Sequence, residues 1–328
     1  MIKKSKIGIL MPGDMGHGIA KVLIESGFEV FTFLKGRSER TKLLAKEAKI
    51  KNIENFTSFL KEVEIILSVI PPEKAYEQAE IVANYNSDLC EKIAYVDCNA
   101  ISPKTSRKIE KLFEKQKIDF IDAGIVGLNP IIEKGKTRLY CSGPKADKLK
   151  ILNKNGIIVK NIGKKIGQAS AFKMIYASAT KGTFALHAAV ITAAHKYNLF
   201  DEYVEELEFS KPDILKSMEN MVPKIPLDAK RWEGEMYEIM KTYENINLTS
   251  KFHAGSAEIM KLAHKTPISR ETRQNYNQNR TLKQAVEIEV LDIPSSFVII
   301  GRKALNVCDC PAPLVNIPKP PITTIIQP

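Results

Sequence analysis

Short apolar runs recur through the first half of the chain, and most are separated by Lys- and Glu-rich segments with helical spacing. Residues 6–11, Lys-Ile-Gly-Ile-Leu-Met, read as a buried strand. A glycine loop leads from it into a helix over 16–26, with Ile19, Ala20, Leu23 and Ile24 on one face. Gly27 stands where a helix commonly ends on a left-handed residue, and 28–34 form the next strand, so the first 34 residues make one βαβ unit. Further strands are predicted at 65–70 (stopped by Pro71-Pro72), 94–98, 119–123, 137–142 and 156–159. Strands alternating with helices define an α/β fold, a Rossmann-type doubly wound parallel sheet.

The pattern changes after residue 164. From Gly167 to about Tyr197 the chain is rich in alanine, has no proline and has one internal glycine, Gly182. A helix of that length spans roughly 45 Å. It is apolar over most of its circumference, as a helix at the centre of a bundle is. Further helices are predicted over 201–221, 228–243, 251–264 and 270–291. The expected organisation is a dinucleotide-binding domain over 1–163, an all-α C-terminal domain over 164–310, and an irregular Pro-rich tail over 311–328. The apolar surface of the long helix exceeds what one copy covers easily, so a homodimer is expected.

A length of 328 residues suits two domains. No run of 18 apolar residues is present, and the N-terminus lacks the apolar segment of a signal peptide. The expectation is a cytoplasmic protein with no membrane partner. The net charge is +11, from 49 Lys and Arg against 38 Asp and Glu. The lysines are dispersed among carboxylates without an Arg-rich stripe, so no nucleic-acid partner is expected. Five cysteines include no C-x-x-C pair, which points to reduced thiols and no metal site.

The glycine loop reads Met11-Pro12-Gly13-Asp14-Met15-Gly16. A dinucleotide site needs glycine where backbone approaches the pyrophosphate and where the helix packs on the strand, and Gly13 and Gly16 fill those places. Met11 replaces the usual first glycine. The helix N-terminus supplies free N–H groups and a partial positive charge. His17 reads as a helix-start residue. At the end of the second strand no carboxylate awaits a ribose 2′-hydroxyl; Arg37 and Ser38 follow instead and favour a 2′-phosphate, hence NADP over NAD. Asn99, beyond the 94–98 strand, lies at the edge where such sheets bind ligands, and reads either as a contact to ribose or substrate or as a turn asparagine. Gly124 to Gly127 sit after another strand, either offering N–H groups to a carboxylate or forming a plain turn.

Several segments together resemble the β-hydroxyacid dehydrogenase superfamily, which includes 6-phosphogluconate and 3-hydroxyisobutyrate dehydrogenases. They are Gly13-Asp14-Met15-Gly16 with Ile19-Ala20, Val69-Ile70-Pro71-Pro72, Asp122-Ala123-Gly124-Ile125-Val126-Gly127, and Gly167-Gln168-Ala169-Ser170-Ala171-Phe172-Lys173-Met174. Two more, Asp97 to Pro103 and Arg231 to Ile239, resemble a phosphogluconate dehydrogenase-like branch. The resemblance implies an NADP-dependent oxidoreductase that transfers hydride between nicotinamide and a small hydroxy acid, or the matching carbonyl acid. It implies Lys173 as general acid and base, cofactor contacts from Pro12 to Gly16 and at Arg37, Ser38, Ile70, Pro71 and Asn99, and substrate contacts at Asn99, Gly124, Val126, Gly127, Lys173 and Tyr176. By the residues alone Lys173 reads equally as a lysine snorkelling to solvent.

The match has departures. The family's serine falls on Val126, its second glycine on Leu128, its asparagine after the lysine on Ala177, and a glutamate on Thr180. These argue against 6-phosphogluconate and against assuming decarboxylation. An imine reductase and a non-catalytic NADP-binding regulator are the competing readings. Tyr176, three residues beyond Lys173, either replaces the missing asparagine or packs. Trp232 and Glu235 either close a pocket or anchor helices, and His187 and His195 read as packing residues.

Overall fold

The computed structural model describes residues 5–84, 93–116, 118–132, 135–153, 156–273 and 275–291. Eight strands form one sheet: β1 (Lys6–Ile9), β2 (Glu29–Thr32), β3 (Lys51–Asn52), β4 (Ile65–Ser68), β5 (Ala94–Asp97), β6 (Asp119–Val126), β7 (Thr137–Ser142) and β8 (Ile157–Asn161). Their order is β3-β2-β1-β4-β5-β6-β7-β8. The chain winds outward in both directions from the β1–β4 pair, and ligands of α/β sheets bind at such a reversal. Helices α1 (Asp14–Glu25), α2 (Glu39–Glu47), α3 (Phe56–Glu62), α4 (Ala75–Asn84) and α5 (Pro103–Glu114) connect the strands. Ser38, Asn55 and Ser102 cap α2, α3 and α5 by accepting from the N–H three residues on.

The alternation predicts a parallel sheet throughout, but β7 runs antiparallel to β6. Residues 127–136 are too few for the crossover of about a dozen or more that a parallel pair requires. Both faces of the sheet are buried. Ile7, Ile9, Leu67 and Ile121 pack with Ile19, Val22 and Leu23 of α1 on one side. On the other side Ile66, Tyr95 and Phe120 pack with Phe59 of α3 and Phe113 of α5.

The helical part comprises α6 (Gln168–Ala177), α7 (Thr183–Lys196), α8 (Phe200–Ser210), α9 (Pro212–Met221), α10 (Ile225–Glu244), α11 (Lys251–His264) and α12 (Leu282–Leu291). The long helix forms as expected, with one π turn, Ser178–Gly182, between α6 and α7. The predicted 201–221 helix is two, because Pro212 cannot continue α8 and instead starts α9. The predicted 270–291 helix covers only its last ten residues. Asn275 Oδ1 accepts from Thr272 N at 2.6 Å and Asn277 Oδ1 from Asn279 N at 3.0 Å, local bonds that compete with helix. The helix proper starts where Thr281 and Gln284 form a reciprocal capping box. Met174, Ile191, Met218, Trp232, Met236 and Met260 belong to the core of this part. Phe172, Ile175 and Leu186 of the long helix are exposed. Among the described residues no helix is long and apolar enough to cross a membrane, and no group of His, Cys, Asp and Glu is arranged to hold a metal. Cys90, Cys308, Cys310 and the 311–328 tail lie outside the described residues.

One carboxylate joins the sheet to the helices. Asp122, fully buried on β6, accepts from Ser106 Oγ at 3.0 Å, Ser142 Oγ at 2.9 Å, Gly167 N at 2.9 Å, Ser170 N at 3.1 Å and Ser170 Oγ. The start of α6 is therefore capped by a strand rather than by its own N-cap residue, Gly167, which has no side chain and sits at φ +96°. In an Asp122→Asn variant an amide N–H faces backbone N–H groups that need acceptors. The expected loss is about 3 kcal/mol of stability, read as a lower urea midpoint.

Candidate active site

The cap at Asp122 seats α6 directly on β6. A Cβ built at Gly124 would lie 2.8 Å from Lys173 Cβ and 3.4 Å from the Ala169 carbonyl oxygen, so only glycine lets the lysine sit this close to the strand. Ser142 Oγ accepts from Ala169 N at 2.9 Å and completes the seat. Lys173 is partly buried. Burial, reinforced by the charges of Lys181 and Arg231 and opposed by Glu235, brings its ammonium down to about 7. An amine that loses its proton near neutrality is suited to general acid–base chemistry.

Beside it lies a buried ionic cluster. Glu235 is 2% exposed, pairs with Lys181, and accepts from Arg231 Nη1 at 2.6 Å. Burial pushes its carboxyl up, but Lys181, Arg231 and Lys173 outweigh that and hold it at about 2. Arg231 also donates to Asp228 Oδ1 at 2.9 Å.

The glycine loop fits a dinucleotide. A Cβ at Gly13 would meet nothing within 4 Å, so the backbone there lies open for close approach. A Cβ at Gly16 would fall 2.5 Å from the Met11 carbonyl oxygen, the tight helix–strand contact the motif requires. No side chain caps the N-terminus of α1, which leaves its first N–H groups for an anion. Pro12 is buried, Met15 packs against the core, and exposed Asp14 is neutralised by Arg40 at 2.5 Å. Arg37 Nη2 makes long bonds to Leu10 O (3.3 Å) and Gln78 Oε1 (3.4 Å), while its buried Nε has no partner. Burial lowers its pKa from the usual guanidinium value. Ser38 caps α2 and is exposed.

Asn99 is 2% exposed and ties two strand ends together: Oδ1 accepts from Ile70 N at 2.7 Å, Nδ2 donates to Ser68 Oγ at 3.1 Å, and its N–H donates to Asp97 Oδ1 at 2.9 Å. Asn99 thus positions Ile70 and Pro71 at the carboxyl edge. Asp97 is fully buried, with Oδ2 unpartnered, and burial lifts its carboxyl to about 7.

One expectation needs correction. Gly124 and Val126 are not in a turn after the strand; β6 runs through Val126 and pairs Gly124 with Tyr140 and Val126 with Arg138. Part of the backbone expected to meet a carboxylate is therefore taken by the ladder, although pairing with β5 stops at Asp97–Asp122 and leaves that flank beyond residue 122 unladdered. Gly127 is a turn residue at φ +110°, where a Cβ would fall 2.5 Å from the Lys136 carbonyl oxygen. Tyr176 is exposed. Trp232 is a helix anchor, 6.2 Å from the Phe184 ring, and Glu235 is the buried pair described above. His17 Nδ1 lies 2.8 Å from Gly13 O, His187 is buried, and His195 packs edge-on to Phe200. The sequence reading gave no role to Asp122, Ser142, Lys181 or Arg231. It also missed Asn129, which donates to Asp14 O across α1 where a Cβ at Gly18 would collide with it.

A glycine loop fitted to a dinucleotide at the switch point of a Rossmann sheet, with a lysine of the following helical region seated near the carboxyl end of β6 on the same sheet edge, is the arrangement of a nicotinamide-dependent dehydrogenase or reductase fold. Residues 6–169 match the family described as the NAD binding domain of 6-phosphogluconate dehydrogenase, and residues 194–262 match a domain of unknown function. The chain belongs to this 6-phosphogluconate dehydrogenase-like family, within the β-hydroxyacid dehydrogenase superfamily. It is 34% identical over 247 residues to an uncharacterized 28.5 kDa protein of Methanothermus fervidus, a match over 74% of this chain and 92% of that one. A conserved protein of unknown function with structural similarity to 3-hydroxyacid dehydrogenases matches at 27% identity and TM-score 0.57, over 79% of this chain and 98% of that one. Mycobacterium tuberculosis 3-hydroxyisobutyrate dehydrogenase shares the fold, with 15% identity and TM-score 0.59 over 79% of this chain and 93% of that one.

Because the seat of Lys173 depends on the missing side chain at Gly124, a Gly124→Ala variant is overpacked. It is expected to lose about 2 kcal/mol, measured by denaturant unfolding.

Proposed function

We propose that the protein is an NADP-dependent oxidoreductase acting on a small hydroxy acid or the matching carbonyl acid, with Lys173 as general acid and base. The observation that carries this reading is the partly buried amine of Lys173, ionising near 7, seated on Gly124 at the edge where the dinucleotide cradle opens.

The residues present fit the cofactor. The open backbone of Gly13 and the N-terminus of α1, with Pro12, Asp14, Met15 and Gly16, would hold the pyrophosphate. Arg37, with its unpartnered Nε, and Ser38 at the N-terminus of α2 would hold the 2′-phosphate. Ile70, Pro71 and Asn99 would border the reactive end. When bound, the nicotinamide supplies hydride exchange; the chain supplies binding, orientation and the proton. In oxidation, neutral Lys173 Nζ accepts the proton of the substrate hydroxyl. In reduction, the Lys173 ammonium donates that proton to the developing alkoxide oxygen. Gly124 and Tyr176 flank the lysine and, with Val126 and Gly127, would border the substrate.

The amine is protonated below about 7 and free above it. Oxidation of the substrate is therefore expected to rise with pH through that value, and reduction to fall.

Lys173→Ala is expected to abolish turnover of a panel of hydroxy and carbonyl acids while NADPH affinity, measured by fluorescence titration, stays within a few-fold. Normal turnover would remove Lys173 from the mechanism. Reduction of cyclic imines but not carbonyl acids would move the reading to an imine reductase. Tight NADPH binding with no turnover of either would make the protein a sensor.

Arg37→Asp is expected to shift the ratio of kcat/KM for NADP over NAD toward NAD by about tenfold or more, as loss of a charge-assisted phosphate contact dictates. An unchanged ratio would place the 2′-phosphate elsewhere.

A further inference from the structure

Two side chains beside Lys173 are not spent on the reaction proposed above. Lys181 and Glu235 form an ion pair with side chains 13% and 2% exposed, and Lys181 Nζ also lies 5.7 Å from the Trp232 ring centroid. Well-packed apolar residues commonly do as well for stability as a buried ion pair. Stability alone therefore gives no reason to keep one here.

The helix geometry accounts for its position. Two regular turns take about seven residues. The π turn over Ser178–Gly182 adds one more, so Lys181, eight residues after Lys173, comes round to the same face. In an unbroken α-helix it would lie roughly 80° away. The π turn is fastened from outside: Ser178 Oγ lies 2.8 Å from Tyr243 Oη on α10 and 3.1 Å from His253 Nε2 on α11. Thr180 and Thr183 hydroxyls donate to the carbonyls of Tyr176 (3.1 Å) and Ala179 (2.6 Å), which takes up backbone acceptors along the altered turn.

We propose that Lys181, locked by Glu235 and Trp232, is a positioning residue for Lys173, and that the pinned π turn exists to bring this buried pair under the reactive amine. The pair fixes the electrostatic field at Lys173 Nζ before any ligand arrives. Lys181 and, from α10, Arg231 favour the neutral amine, while Glu235 favours the ammonium. Other titratable groups on the elements packed against α6 include Asp122 on β6, Arg138 and Tyr140 on β7, Arg107 and Glu110 on α5, and Asp228, Glu238 and Tyr243 on α10; the test leaves them in place. The proposal rests on Lys173 being the proton-transfer group, but it is tested on the amine itself rather than on turnover.

The experiment is competitive acetylation of Lys173 by trace acetic anhydride across pH, read by mass spectrometry on the full chain without cofactor. Lys181→Met removes a positive charge and is expected to raise the labelling midpoint by about one pH unit, a tenfold change in proton affinity. Glu235→Gln removes the opposing charge and is expected to lower the midpoint. Lys181→Arg, which keeps the charge, restores the parent midpoint. One midpoint for all variants, or a shift of the same sign for Lys181→Met and Glu235→Gln, overturns the proposal. Should Glu235→Gln fail to fold, Lys181→Met and Lys181→Arg decide alone, since Arg231 still pairs with Glu235 in both. Shifted midpoints in a protein that turns over no substrate would keep this inference and discard the function; unshifted midpoints in an active enzyme would do the reverse.

Discussion

The Asp122 carboxylate is the constraint on which the candidate site depends. Its five accepted hydrogen bonds join α5, β6 and β7 to the first turn of α6, through Ser106, Ser142, Gly167 and Ser170. A buried carboxylate is tolerable only when its lone pairs are filled, and here the unsatisfied N–H groups of a helix start fill them. The same bonds set both the height and the rotation of α6 over the sheet. Lys173 can then rest on Gly124, where any side chain would push it away.

From that seat the electrostatics follow. A lysine led into a crowded junction loses hydration, and the charges of Lys181 and Arg231 act in the same direction. Glu235 limits the effect, so the amine stays within reach of neutrality and is not locked uncharged. The ionic cluster is held by α10, while the cradle for the dinucleotide is held by β1 and α1. The chemistry proposed for this chain therefore belongs to neither half alone.

Much of the fold was legible. The βαβ opening, the change from strands to a bundle, and the long alanine-rich helix were all readable from apolar spacing, because burial on two sheet faces and on a helix stripe leaves a periodic trace. The misreadings share a cause. The antiparallel β7 turned on the length of the 127–136 connection, the split at Lys211–Pro212 on one proline, and the shortened last helix on asparagine side chains that bond their own backbone. These are punctuation marks that periodicity averages away. In the candidate site, the glycine loop, Arg37, Asn99, Gly124 and Lys173 were readable as candidates from their chemistry and spacing; that Asn99 braces two strand ends, and that Gly127 takes the turn alternative, came from the structure.

By itself the sequence determined the local conformations: where backbone must turn left-handed, where a helix starts without a side-chain cap, and which faces are apolar. It also determined the chemical types available, including the lysine in an apolar stretch and the arginine after the second strand. Only the tertiary structure decided the partnerships. Asp122 reaches a helix start 45 residues on, Glu235 reaches Lys181 54 residues back, and Asn129 braces α1 from 115 residues away. A charge buried beside its partner and one facing water are written with the same letter. What separates them is the desolvation that packing imposes, and no spacing along the chain encodes it.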